Sequence, residues 1–458
     1  MGVLDTLSLG RSALASASAG VEVVSQNVAN ATTVGYSRRR VLSRTSTPVL
    51  KRGQWLGTGV ELTGIRRATD RLLGARVVAA AGDEAKALAR ETVLSTAESY
   101  FEETGTSGLH EALSAMYDSF SLLTSDPSEL GARREAVYAI QTLGAAVSRV
   151  ATNLTGAIRD VDEAADDHLT TINANLAQIA ALNRQIGKSG ASLGPGDLLD
   201  QRDQLVRELG ELAGATVEFA ADGQATVFIG GHAAVSGREY RSLSTVVDAA
   251  GITQIHISVG AGTMRVTPSV GGELGGLFQA RDTAQTWLDD LDTFATTLAD
   301  TINLQHSAGF DSTGAAGGLV FTYNAIDPAA SLAIDANLAA DPNLLALAGA
   351  ATADPGDADN LVALLDLEET GSFGGLTGGD TLSSLLSSVG SETAMAIADA
   401  STLAGQLDDL DFMRDAVSKV DVDEEAVQLV AFQAAYRAAA RVVSASDELL
   451  ETLMAMGA

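Results

Sequence analysis

Cysteine is absent from this chain. Disulfides and thiolate metal sites are therefore excluded, and the redox compartment is left open. Proline is scarce, at 7 residues in 458, so long helices meet few breakers. Aromatic residues make up only 4% although hydrophobic residues reach 46%. Alanine and leucine carry the apolar load, which suits long helices more than compact globular packing. No stretch reaches the ~20 consecutive apolar residues that a bilayer-spanning helix needs, so no membrane partner is expected. No charged segment followed by a long apolar block opens the chain, so no cleaved secretory leader is expected either.

Positive charge is the other shortage. The chain has 29 Lys and Arg against 59 Asp and Glu, a formal net charge of −30. The imbalance is uneven: residues 1–80 hold 11 basic and 4 acidic residues. An acidic body argues against a nucleic-acid partner. Arg38-Arg39-Arg40 is the one run of three basic residues, and it reads as a solvated strand edge.

What the chain does have is two ends built alike. Residues 1–31 carry a seven-residue apolar repeat, Leu7, Leu14, Val21 and Val28, with Val3, Ala17, Val24 and Ala31 beside it. Residues 422–454 carry another, with Leu429, Tyr436, Val443, Leu450 and Met454 among Val422, Ala426 and Ala440. A sustained 3-4 spacing gives a helix with a narrow apolar seam that another helix must cover. These residues are the expected packing positions between chain ends and between copies, the layout of an assembly subunit.

Between the ends, residues 36–66 look extended and helix resumes near Asp70. Asp126-Pro127-Ser128-Glu129 is a strong helix start, with Asp126 as cap and Glu129 completing a capping box. From there to Ile186 an apolar 3-4 pattern runs without proline, predicting a rod of roughly 85 Å that needs a helical partner along its length. A helix over 197–212 follows. Residues 215–270 switch to strand signals around an Asp222-Gly223 turn. Helix returns at 274–306, residues 308–392 are mixed, and the last region, 392–455, is helical with a break around 419–423.

The predicted fold is mainly α with inserted β (α+β), an elongated multidomain subunit whose terminal helices pair as a coiled coil. Its expected parts are a terminal coiled-coil domain (1–66 with 402–458), a long-helix bundle (67–212 with 274–310 and 380–401), an inserted β domain (213–273) and a loop-rich segment packed on the helices (311–379).

Motifs for chemistry fail on context. Gly190-Ala191-Ser192-Leu193-Gly194 matches a nucleophile elbow, but a long helix precedes it and Pro195-Gly196 follows, where the elbow needs a strand before and a helix directly after. Gly187-Lys188-Ser189 lacks the upstream glycine of a phosphate loop, since Leu182 stands there. None of the five histidines has a second histidine or a convincing carboxylate at ligand spacing. The Asp354–Asp359 loop lacks an EF-hand frame and reads as a solvated acidic turn. No metal, no cofactor and no catalysis are expected.

The residues themselves carry a resemblance. Ser25-Gln26-Asn27-Val28-Ala29-Asn30 followed by Val34-Gly35-Tyr36-Ser37-Arg38 resembles the N-terminal signature of the flagellar axial proteins, the rod, hook and hook-associated subunits. Asn27, Asn30, Gly35, Tyr36 and Arg38 are its marked positions. The run Val422–Leu453, with Phe432-Gln433-Ala434-Ala435-Tyr436, is similar to the C-terminal signature of the same family. The stretch Asp197–Asp203, Gly230-Gly231, Gly272–Leu277, Ala299–Asn303 with His306, and Ala340-Asp341-Pro342 resemble the group within the family that joins hook to filament. The resemblance covers most of the chain and is weakest over 232–268.

It implies a structural subunit exported unfolded through the flagellar type III channel to the extracellular flagellum. A cytoplasmic export chaperone would hold the C-terminal helix beforehand. Self-association into a ring or short helical zone is implied at the hook–filament junction, where filament assembly depends on it. The implied neighbours are the hook protein and other hook-associated proteins. Two other readings stay open: a hook, rod or filament subunit of the same family, and a hydrolase with Ser192 as nucleophile.

Overall fold

A computed structural model describes residues 2–51, 53–101, 108–188, 196–220, 223–249, 251–352, 354 and 356–456. The first apolar repeat folds as one helix, α1 (Val3–Ala29). The chain turns at Gly35, whose φ of +80° lies in the left-handed region, where a residue without Cβ is unstrained. Four strands follow: β1 (Arg39–Thr45), β2 (Val49–Lys51), β3 (Gln54–Leu56) and β4 (Val60–Arg67). β1 pairs antiparallel with β4, placing Arg40 opposite Arg66. β2 and β3 form a separate two-stranded hairpin with Leu50 opposite Trp55.

Next come α2 (Arg71–Ser99), started by Asp70 Oδ1 accepting from the Leu72 and Leu73 N–H groups, and α3 (Leu109–Leu123). The long apolar pattern is a single helix of 57 residues, α4 (Leu130–Ile186). Its cap differs from the expected box. Asp126 Oδ1 is taken by Ser128, and the Glu129 carboxylate itself accepts from the N–H groups of Gly131 and Ala132. The local Asp–Ser turn outcompetes the box because it closes over two residues only.

α5 (Gly196–Ala213) leads into β5 (Thr216–Phe219), β6 (Ala225–Ile229), β7 (His232–Ser236), β8 (Glu239–Tyr240), β9 (Leu243–Val247), β10 (Thr253–Val259) and β11 (Gly262–Arg265). They form two antiparallel sheets, β5-β6-β7-β8 and β11-β10-β9. Of the expected Asp222-Gly223 turn, Asp222 lies outside the described residues, but the strands flanking it pair with Phe219 opposite Ala225.

α6 (Gly272–Ala308), the short β12 (Phe321–Thr322) and β13 (Ala333–Ile334), α7 (Ala336–Ala340) and α8 (Asp359–Glu369) precede α9 (Gly378–Ser418) and α10 (Val422–Met456). α9 starts well before the expected position near 392. Thr377 caps it, with Asp380 N–H donating to Thr377 Oγ1 at 3.0 Å and the Thr377 hydroxyl donating to Asp380 Oδ2 at 2.9 Å. The pair Gly378-Gly379 masks that start, because glycine is a poor helix former. Among the described residues, no helix is long and apolar enough to cross a membrane.

The chain groups into two compact units, where the sequence reading divides it into four parts. One holds residues 1–85, 168–275 and 402–458, and the other 86–167 and 276–401. Helices α2, α4, α6 and α9 each supply residues to both, so cuts placed at sequence breaks do not separate them.

In the first unit, α4 is partnered by β structure as well as helix. Asn183 Nδ2 donates to the Ala225 and Gly237 carbonyls, both at 2.8 Å, and Asn183 Oδ1 accepts the Ala225 N–H. Ten residues earlier, Asn173 exchanges two 2.8 Å bonds with the Leu243 backbone. One helix thus satisfies backbone groups of both sheets. Ile172, Leu176, Ile179, Val227, Ile255 and Ile257 are fully buried in this unit.

The second unit has a large apolar core, with Trp287, Phe120, Phe294 and Phe321 buried among Leu94, Ile140, Leu143 and Leu154, and a small separate cluster of Ala89, Val161 and Leu277. Phe101 meets Trp287 edge-on at 6.1 Å. The loops are knitted to it by buried polar groups. Asn303 binds the backbone of Val320 and Phe321. His306 Nε2 accepts from Ala346 N–H at 2.9 Å, so its Nδ1 carries the proton given to the Gly318 carbonyl at 2.8 Å.

Burial pushes the His306 pKa down. Its neutral form therefore supports folding above the ordinary value of ~6.5, and that contribution is lost as pH falls from there through the depressed folded value. His306 ring resonances should show no titration near pH 6.5, while the urea midpoint of this unit falls on acidification below it. An ordinary titration near 6.5 would contradict the buried tautomer.

Candidate assembly site where the chain ends meet

α1 packs against α10, and the contacts fix their sense. A Cβ on Gly10 would lie 2.9 Å from Val443 Cγ2, a Cβ on Gly20 would overlap the Phe432 ring, and Asn27 reaches Glu425. Numbers rise along α1 as they fall along α10, so the helices run antiparallel. The covered strip is Gly10, Ala17, Gly20, Val23, Val24 and Asn27 on α1 against Glu425, Ala439 and Ser446 on α10. Small side chains on α1 let the axes approach closely, and Phe432 seats in the notch that Gly20 leaves.

The expected packing positions lie around this strip. Val24 is buried, and Leu7, Leu14, Val21, Leu429, Val443 and Leu450 are half-buried. Val28, Tyr436 and Met454 are exposed at 40%, 42% and 68%. The contact is centred one row away from the Leu7–Leu14–Val21–Val28 line. The closest approach takes the smallest residues, whereas an apolar pattern points to the bulkiest. Gly10 and Gly20 were missed for that reason; Phe432 and Glu425 lie off the apolar row of α10, and their partners, Gly20 and Arg38, are distant in sequence. The signal was a second seven-residue series, Gly10–Ala17–Val24.

At one end of the seam the family-signature residues form a polar knot. Asn27 Nδ2 donates to the Arg39 carbonyl at 2.9 Å and to Glu425 Oε2 at 3.0 Å. Asn27 Oδ1 accepts the Arg39 N–H at 2.9 Å and the Tyr36 hydroxyl at 2.8 Å. All four hydrogen-bonding sites of this amide are used. Arg38 Nε lies 2.7 Å from Glu425 Oε1, and Arg38 Nη1 lies 2.8 Å from Glu424 Oε2. Arg38 is 5% exposed and Glu425 1%. The hydrogen bond to Glu424 raises the Arg38 pKa, and the same contact holds the Glu424 carboxyl below its usual range. The Arg38 N–H also donates to the Ser418 carbonyl at the end of α9, at 2.8 Å. Asn30 closes α1 by donating to the Gln26 carbonyl at 2.9 Å.

The three-arginine run is therefore no solvated edge. Arg38 and Arg39 are buried and paired, and only Arg40 is exposed. Arg39 turns to α5, binding Asp197 and, at 3.1 Å, Asp200, with its guanidinium 4.9 Å from the Tyr36 ring centre. Arg67 lies 2.8 Å from Asp200 Oδ1 and 2.7 Å from Asp203. Burial pushes the Asp200 pKa up in spite of both arginines. Arg207 grips Asp411 with two bonds of 3.0 and 2.9 Å, joining α5 to α9. Burial acts to raise the Asp411 pKa, but these bonds bring it below the usual value. This fork-to-carboxylate geometry fixes orientation as well as distance.

No group of three or more potential metal ligands occurs among the described residues. His168 does meet a carboxylate, Glu273, at 3.3 Å. Ser192, Ser189 and the rest of residues 189–195 lie outside the described residues. An open groove of about 600 Å³ next to Tyr36 is lined by Asn30, Gln178, Asp200, Gln201 and Gln204, with no histidine, serine or cysteine among its described lining residues. The arrangement holds chain segments together, and its chemistry is that of a clamp.

Removing one partner of a buried ion pair strands the other charge at a cost of about 3–5 kcal/mol. Glu425→Ala should therefore release α10, seen as faster hydrogen exchange from its amides, while the paired change Arg38→Met with Glu425→Leu should cost much less. Equal effects of the single and paired changes would contradict a clamp. Gly20→Ala should cost about 1–3 kcal/mol by overpacking Phe432, relieved when Phe432 is shortened to leucine.

Three family models match along the chain: "Flagella basal body rod protein" over residues 7–36, "Flagellar hook-associated protein FlgK helical domain" over 94–321, and "Flagellar basal body rod FlgEFG protein C-terminal" over 416–456. The chain is similar to flagellar hook-associated protein 1 of Escherichia coli, at 25% identity over 97% of this chain and 98% of that one. It is likewise similar to the protein of that name from Bacillus subtilis, at 27% over 98% and 97%. A solved structure of the flagellar hook junction protein FlgK from Burkholderia pseudomallei matches with a TM-score of 0.50 and 27% identity, over 55% of this chain and 47% of that one. With rod-type models on the two helices that clasp each other, a hook-associated model between them and relatives matched end to end, the chain is similar along its whole length to the flagellar hook-associated proteins.

Proposed function

We propose that this chain is a structural subunit of the bacterial flagellum, forming the junction zone between hook and filament on which filament assembly depends. The observation that carries the reading is the clasp of α1 by α10, with apolar rows left facing outward. Val427, Val430, Leu449, Leu453 and Met454 on α10 are exposed in a single copy, and apolar surface of that extent calls for cover. Identical copies covering it head to tail build a ring or short helical zone. The expected neighbours are the hook protein and other hook-associated proteins, the expected site is outside the cell, and an export chaperone is expected to cover the α10 rows before export. The hydrolase reading rests on Ser192 alone, and hydrolysis abolished by Ser192→Ala would revive it.

Cells lacking the chain should carry hooks without filaments; long filaments grown from the purified chain alone would instead favour a hook, rod or filament subunit. Leu14→Asp places a charge on the half-buried flank of the seam, where desolvation is costly. Its producers should keep both units folded yet shed unpolymerised filament protein, and filaments of normal length on such cells would refute the role given to this flank.

A further inference from the structure

The β2–β3 hairpin has no cover of its own. It is a two-stranded sheet in which every residue is exposed or half-buried, with Trp55 70% exposed and Leu50 across the strand from it. A lone two-stranded hairpin is marginal in water, and here a Lys51–Asp5 ion pair ties it to α1. Residues 38–67 hold eight Lys and Arg and one acidic residue; Arg38, Arg39, Arg44, Lys51 and Arg67 pair within the copy, which among the described residues leaves Arg40 and Arg66 as exposed basic groups beside the hairpin. Arg40 and Arg66 are exposed and directly opposite on β1–β4, an arrangement of like charges that destabilises a strand pair. Glu424 of the same copy, its carboxyl held down first by Arg38, is close enough to Arg40 to be held down by it as well, and Arg66 faces solvent.

The same unit carries the complementary surface. The outer face of α9 near its end presents Phe412, Met413 and Val417 to solvent, with Phe412 78% exposed. Asp408 and Asp409 are exposed one turn before; of the other acidic residues in 402–425, Asp411, Asp415, Glu424 and Glu425 pair within the copy. Apolar centres of similar size sit in fields of opposite sign, and the chain already joins these two segments internally through Arg38 and Glu424.

We propose that Leu50 and Trp55 of one copy seat on the Phe412–Met413–Val417 strip of α9 in a second copy, with Arg40 and Arg66 facing Asp408 and Asp409. The contact is heterologous, so it propagates from copy to copy instead of closing a two-fold dimer. It names the surfaces through which the junction subunit proposed above would meet itself, and it rests on that reading.

The absence of cysteine makes the test direct. Trp55→Cys and Phe412→Cys are introduced in separate full-length chains, both residues being exposed, and the two are co-produced in cells lacking the native chain. Leu50→Cys with Met413→Cys is a second pair. Flagella are isolated, oxidised and run without reductant. A shift from monomer to dimer in co-producing cells, lost when either variant is produced alone, is the expected result. Filaments present with no dimer from either pair overturn the contact and leave the junction role standing. Dimers from the Trp55→Cys chain alone also overturn it, since the hairpin would then meet its own kind. Hooks without this chain at their tips in wild-type cells would remove the junction reading and this contact with it.

Discussion

The buried pairing of Arg38 with Glu425, locked by Asn27, is the constraint on which the first unit depends. It joins positions 387 residues apart in sequence. Desolvation offsets most of the attraction in a pair this deep, so its net contribution to stability is small. Its consequence is registry. Any other alignment of α1 on α10 leaves a charge buried alone, whereas a row of glycine, alanine and valine by itself would tolerate sliding. The Gly20–Phe432 notch adds a second, apolar register mark one helical stretch away.

The two units solve the problem of order differently. The second relies on a large apolar core in which polar groups such as Asn303 and His306 tie down loops. The first has fewer large side chains and leans on side-chain amides and guanidinium groups that bind backbone or carboxylates: Asn27, Asn173, Asn183, Arg39, Arg67 and Arg207. That suits the proposed subunit, whose outer apolar rows would be covered by its neighbours. Geometry is set inside each copy by polar contacts, and apolar area is left over for assembly.

The long periodic segments were the legible part of this fold. α1, α4, α6 and α10 sit where the 3-4 spacing puts them, because a helix longer than a few turns repeats its signal many times. Pairing of the two ends was legible for the same reason. The centre of that pairing was not, because apolar patterns weight bulk, and the tight contact selected Gly10 and Gly20. Arg38 and Arg39 were misread because a run of like charge ordinarily faces water; their burial depends on Glu425, Asp197 and Asp200, which lie far away in sequence. The start of α9 was hidden by two glycines behind a good cap. Asn27 and Tyr36 were marked by family resemblance, but their role, in which one amide uses all its hydrogen-bonding sites, depends on partners that only the fold brings together.

The central claim is that α1 and α10 of one copy lie antiparallel with Asn27 level with Glu425. Spin labels at Glu22 and Val430, exposed and level with each other by that alignment, report it directly in flagella where labelled copies are diluted with unlabelled ones. The account requires a short, narrow distance for Glu22 with Val430, and a separation longer by some 20 Å for Glu22 with Leu449, since 19 residues of helix rise by about 28 Å. A reversed order, or the same broad distribution for both pairs, would contradict it.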